Sequence, residues 1–172
     1  MPGLVDSHVH VNEPGRTDWE GFETATKAAA VGGITTIVDM PLNSIPPTTT
    51  LDNFRTKVNV ARGKTFVDVG FWGGVVPGNA GELQSMVAEG ICGFKCFLVH
   101  SGVDEFPCVD ENQVLEALDK LKGTGSVLLF HAETDVGSEG CVTQADNPKA
   151  YETFLKSRPA QMENEAIDMV IR

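Results

Sequence analysis

Apolar residues along this chain follow two alternating rhythms. Continuous runs rich in β-branched and aromatic side chains recur at residues 3–11, 34–40, 65–76, 93–99 and 126–131, and runs of that kind predict strands. Between them lie stretches with apolar positions three and four apart, which predict helices. Residues 19–31 read as a helix whose face of Phe22, Ala25, Ala29 and Ala30 is stopped by Gly32 and Gly33. A proline-rich loop at 43–49 precedes a helix to about Arg62, which Thr50 or Asp52 can cap. Residues 80–89 form the next helix, closed by Gly90. Asp110 can cap a helix through Leu121, with Val114, Leu115, Leu118 and Leu121 as its core stripe and Gly123 and Gly125 closing it. A polar loop at 133–148 leads to a helical stretch near 150–156, and Pro159 and Ala160 open a final helix that runs to Arg172.

The order strand, loop, helix therefore repeats five times. The strands are near-continuous apolar runs, not alternating ones, which predicts parallel strands buried on both faces and joined by helical crossovers. Two α/β architectures fit: an open doubly wound sheet, or part of a TIM-like (β/α) barrel. A complete eight-stranded barrel takes about 250 residues, and this chain has 172, enough for about five units. No Gly-x-Gly-x-x-Gly follows the first strand, so a dinucleotide fold has no support.

Composition narrows the class. The apolar fraction is 41% and the charged fraction 22%, values of an ordinary globular domain with one core. The net charge of −11 argues against a nucleic-acid or anionic-membrane surface, which wants clustered Lys and Arg. No apolar run is long enough to span a bilayer, and no charged and apolar leader opens the chain. The cysteines Cys92, Cys96, Cys108 and Cys141 form no Cys-x-x-Cys pair. Reduced thiols in an intracellular compartment, most simply the cytoplasm, are the expectation.

The candidate chemistry gathers at strand ends. His8 and His10 close the first strand. Side chains two apart share a side of a strand, so they present either paired imidazoles suited to zinc or two exposed strand histidines. Asp39 ends the second strand, where it can orient a ligand or cap a helix, the cap being the simpler reading. His131 ends the fifth strand, and Glu133 shares its side and can orient it. His100, just past the fourth strand, reads as a pocket-edge residue and not a ligand. Lys95 is the odd one. It stands inside Gly93-Phe94-Lys95-Cys96-Phe97-Leu98, where burial disfavours the ammonium and leaves a nucleophilic amine unless a carboxylate pairs with it.

These residues carry a resemblance. Gly3-Leu4-Val5-Asp6-Ser7-His8-Val9-His10-Val11 resembles the first barrel strand of the amidohydrolase superfamily. Within it, Asn12-Glu13-Pro14-Gly15-Arg16-Thr17-Asp18-Trp19-Glu20-Gly21-Phe22 resembles the allantoinases. So do Asp39-Met40-Pro41-Leu42-Asn43-Ser44-Ile45-Pro46-Pro47-Thr48-Thr49 and the strand around Lys95. The resemblance implies hydrolysis of the cyclic amide bond of allantoin to allantoate in a (β/α) barrel, at a centre of two divalent metals, zinc being the expectation. By it, His8 and His10 hold one metal, Lys95 takes up carbon dioxide to become a bridging carbamate, and His131 serves the other metal. Asn43 is a candidate for substrate contact and Arg16 a weaker one. The partner implied is the small molecule alone, in a full-length protein that forms a homo-oligomer.

The family pattern also has a histidine after the sixth strand, a catalytic aspartate after the eighth, and a small flanking β domain. By that pattern residues 1–172 are a truncated barrel domain holding four of six expected metal-site residues, with no catalytic residue of its own and no activity in isolation. Two alternatives stand. One is another cyclic amidohydrolase, acting on dihydropyrimidines, hydantoins or dihydroorotate; against dihydroorotate, Asn12 stands where those enzymes carry an arginine soon after the histidine pair. The other is a catalytically dead, truncated relative with a scaffold role, a group that tends to lose the metal residues retained here.

Overall fold

A computed structural model describes residues 2–137 and 146–172. Five strands, β1 (Leu4–Val9), β2 (Ile34–Asp39), β3 (Asp68–Gly74), β4 (Gly93–Phe97) and β5 (Leu128–His131), alternate with helices α1 (Phe22–Val31), α2 (Leu51–Ala61), α3 (Leu83–Ala88) and α4 (Glu111–Leu121). Two more helices follow, α5 (Tyr151–Ser157) and α6 (Ala160–Ile171). The sheet order is β1-β2-β3-β4-β5 and each adjacent pair is parallel. This order decides between the two architectures. A doubly wound sheet reverses direction at a switch point, whereas consecutive order carries every crossover the same way and curls the sheet into a half-barrel.

Alternation along the strands separates two faces. Phe94 and Cys96 of β4 pack outward in a cluster with Phe54, Leu83, Met86, Val114, Ala117 and Leu121 from the helices. Phe22, Ala29, Ile37 and Ala61 form a second outer cluster under α1 and α2. On the inner face Val38, Met40, Trp72 and Phe97 meet Leu42 and Phe106 from the loops. β4 is buried along its whole length, as a parallel strand covered on both faces should be.

Local signals explain the helix starts. The Thr50 hydroxyl accepts from Asn53 N at 3.2 Å and caps α2. Asp110 and Gln113 form a reciprocal capping box at α4, 2.9 and 3.0 Å. Three expectations shift. The helix expected from Trp19 begins at Phe22, because the Glu13 carboxylate accepts from Phe22 N at 2.9 Å and fixes the first turn there. The helix expected from Ala80 opens as a 3-10 turn, Ala80–Glu82, before α3. In α4 the core line is Val114, Ala117 and Leu121, while Leu115 and Leu118 are 58% and 44% exposed. An amphipathic helix offers two adjoining apolar lines, and the sheet takes one.

β1 also departs from the expectation of strands buried on both faces. Among the described residues it pairs only with β2, at the edge of the sheet, and Leu4 and Val5 are exposed. Its ladder has an irregularity between Asp6 and Val9, within the histidine motif. Cys92 and Cys108 are exposed free thiols and Cys96 is a buried one; Cys141 and part of the expected 133–148 loop lie outside the described residues. No helix among the described residues is long and apolar enough to cross a membrane.

The packing predicts two measurable costs. Phe94→Ala, at a fully buried position, should lower the unfolding free energy by about 3–5 kcal/mol. Asp110→Ala should lower it by about 1 kcal/mol through loss of the cap. Urea denaturation followed by circular dichroism checks both.

Candidate functional site

The inner face and the loops at the carboxyl ends of the strands hold the candidate residues. Val9 packs into the outer cluster, so its neighbours His8 and His10 turn the other way. Their ring centroids stand 5.4 Å apart, as side-by-side imidazoles. Asn43, in the loop after β2, has a left-handed backbone with φ of 74°, which asparagine tolerates better than most residues. That conformation brings its Nδ2 to 3.4 Å from His10 Nδ1.

Arg16 ties this corner together. Its NH1 donates to the Asn43 carbonyl at 2.7 Å and forms an ion pair with Glu105, from the loop after β4. Its guanidinium also lies 4.9 Å from the Trp19 ring centroid. The Arg16 hydrogen bond holds the Glu105 carboxyl below the usual carboxylate range.

Lys95 is 7% exposed. The register pairs it with Gly74 and Leu129, and its Nζ lies 5.4 Å from the Phe97 ring centroid. Among the described residues it has no carboxylate within ion-pair distance. Burial therefore lowers its pKa with little to oppose it. His10 is held below its ordinary value too, by burial first and then by the charges of His8, Lys57 and Lys95.

His131 is paired in register with Phe97 and stacks on its ring, 4.8 Å between centroids and 13° between planes. Phe97 thus contacts both Lys95 and His131. Glu133 Oε2 approaches His131 Nε2 at 2.6 Å and is itself held by Arg158 at 3.1 Å. His100 is exposed and engages only its own loop, its Nδ1 accepting from Gly102 N at 3.0 Å.

Asp39 does not cap a helix. Its Oδ1 accepts from Val11 N at 2.7 Å, and its Oδ2 pairs with Lys57 Nζ of α2 at 2.5 Å. The reason is the strand's alternation, which turns Asp39 toward the helix layer beside Lys57. Burial pushes the Asp39 carboxyl up to about 6 against the pull of Lys57. Lys57 escaped the sequence reading, although a signal was present: it occupies the buried line Phe54, Lys57, Ala61 of α2. Glu13 and Glu105 were also missed, since their partners lie in other segments.

Among the described residues no three His, Cys, Asp or Glu side chains converge as a ready cation cage. The donors on this face are two imidazoles and one buried amine, a set that lacks an anion. A carboxylated Lys95 would supply that anion, so the residues fit a metal site in that form.

Comparison with known proteins establishes the kinship of this fold. The chain belongs to the dihydro-orotase-like family, whose profile matches residues 1–171. It is 55% identical over 170 residues to a protein named "Allantoinase, mitochondrial" from Aquarana catesbeiana, covering 99% of this chain and 35% of that one. It is 51% identical over 171 residues to an allantoinase of Saccharomyces cerevisiae, covering 99% and 37%. Among solved structures it superposes on the L-hydantoinase (dihydropyrimidinase) from Arthrobacter aurescens with a TM-score of 0.91 and 37% identity, covering 99% and 38%. The chain spans about a third of the length of the curated relatives it matches.

The electrostatics predict how His10 titrates in metal-free protein. Its midpoint should lie below 6.5, with the ring neutral at pH 7. His8→Ala should raise the midpoint only part of the way, because burial, the larger cause, remains. Imidazole chemical shifts against pH check this; a midpoint at or above 6.5 in the unaltered chain contradicts it.

Proposed function

We propose that this chain is the N-terminal portion of an allantoinase barrel, and that the whole barrel opens the cyclic amide ring of allantoin to give allantoate. The observation that carries the reading is Lys95: an amine 7% exposed, without an ion-pair partner among the described residues, on the same inner face as His8 and His10. A buried lysine left that way is costly as a cation. Its neutral amine can add to carbon dioxide, forming an N–C bond and releasing a proton, and the product is a carbamate anion. His8 and His10 would hold one divalent metal, Lys95 as carbamate would bridge to a second, and His131, oriented by Glu133, would serve that second metal.

When bound, such a pair of cations lowers the pKa of water and polarises a carbonyl. The chain's own residues do the rest. Burial holds both His10 and Lys95 below their ordinary pKa values, which favours the deprotonated form each needs in order to offer a lone pair. Asn43, held by Arg16, presents a carboxamide beside His10 that can donate to a substrate oxygen. Arg16 is itself occupied by Glu105 and the Asn43 carbonyl, so it acts on a substrate through Asn43. An uncharged ring suits this corner better than a carboxylate-bearing one. The high identity to proteins named allantoinase favours allantoin, and the superposition on a hydantoinase keeps hydantoins as the competing substrate.

Two measurements test the reading. Under 13C-enriched carbon dioxide the chain should show one carbamate resonance that Lys95→Ala removes. A protein carrying this chain through the remaining barrel strands should release allantoate from allantoin, and Lys95→Ala should lower that rate at least a hundredfold and remove bound metal. Turnover of hydantoins or dihydropyrimidines without allantoin would overturn the substrate assignment.

A further inference from the structure

Lys57 and Asp39 are 1% and 0% exposed and lie 2.5 Å apart. A buried ion pair is weak evidence for stability, since apolar residues of similar volume replace such pairs with no loss or with gain. The geometry around this pair indicates another role. Lys57 Nζ holds the Asp39 carboxylate and also donates to the Met40 carbonyl at 3.3 Å. Asp39 and Met40 in turn hold the backbone on either side of His10. Met40 N donates to the Val9 carbonyl at 2.7 Å, and Val11 N donates to Asp39 Oδ1 at 2.7 Å. His10 is thus straddled by two hydrogen bonds that end on Asp39, the last residue of β2, and on Met40 just after it, and one ammonium from α2 clamps both of those residues.

We propose that Lys57, acting through Asp39, is a positioning residue that fixes the backbone around His10 and so sets the geometry of the His8–His10 pair. The ligand role of that pair is the one read under Proposed function, and this inference rests on it. Lys57 touches neither imidazole by hydrogen bond; its effect passes through the carboxylate and the two amides.

The test uses the 172-residue chain, zinc as probe, and three variants: Lys57→Met, Lys57→Arg, and the double variant Lys57→Met with Asp39→Leu. Zinc affinity is read by competition with a chromophoric chelator, and urea unfolding gives the folded fraction. Partners behind a ligand typically set affinity by about 10–100-fold. The double variant should fold with stability near that of the unaltered chain, yet bind zinc about 10–100-fold more weakly. Lys57→Arg should retain more of the affinity than Lys57→Met at equal folded fraction. A double variant that regains both stability and affinity overturns the proposal and leaves the pair a packing feature. If the unaltered chain binds no zinc at His8 and His10, the ligand reading fails on its own. Metal-free spectra then decide the positioning claim: loss of Val11 amide protection and altered His8–His10 ring contacts in the double variant uphold it, and unchanged spectra sink it.

Discussion

Two lysines are buried in this half-barrel, and the contrast between them organises the molecule. Lys57 meets a carboxylate and a carbonyl, so its charge is satisfied inside the helix layer. Lys95 meets an aromatic ring and no carboxylate among the described residues. Burial of an unpaired ammonium is unfavourable enough that the group neutralises or changes chemically. The first lysine is therefore satisfied where it stands, whereas burial lowers the pKa of the second. They sit on opposite faces of one parallel sheet, and His10 lies within the electrostatic reach of both.

The consecutive strand order makes this arrangement possible. Each crossover covers the outer face with helix, so α2 can deliver Lys57 behind β2 while the inner face stays free for His8, His10 and Lys95. Alternation does the sorting: Val9, Asp39 and Phe94 face helices, whereas His10, Met40 and Lys95 face inward. A doubly wound sheet would put helices against both faces and leave no common interior.

Much of this was legible in the sequence, for physical reasons that differ by element. Strands and helices announced themselves because parallel strands are continuous apolar runs and helices carry caps such as Thr50 and Asp110. The side-by-side histidines followed from the two-residue repeat of a strand. Contacts between distant segments were not legible. Asp39 could have capped a helix; only the register that sets it beside Lys57 and Val11 N decides otherwise. Leu115 and Leu118 belong to the apolar pattern of α4, yet the sheet accepts the neighbouring line. The apolar run of β1 read as a covered strand, and its position in the order leaves it exposed.

The loop after β1 shows how far charge bookkeeping extends beyond the buried pair. Arg16 is the cation nearest in sequence to the histidines, and a free guanidinium there would favour an anionic ring. Glu105 removes that option, and it comes from the loop of the same strand that carries Lys95. The ion pair therefore ties the first and fourth strand ends across the mouth while cancelling the net charge between them. The Asn43 carbonyl accepts a further guanidinium hydrogen bond, and the Asn43 carboxamide turns toward His10. A neutral polar group is then what this corner offers an incoming molecule. An uncharged polar group that meets it can exchange water for a hydrogen bond without a charge being desolvated.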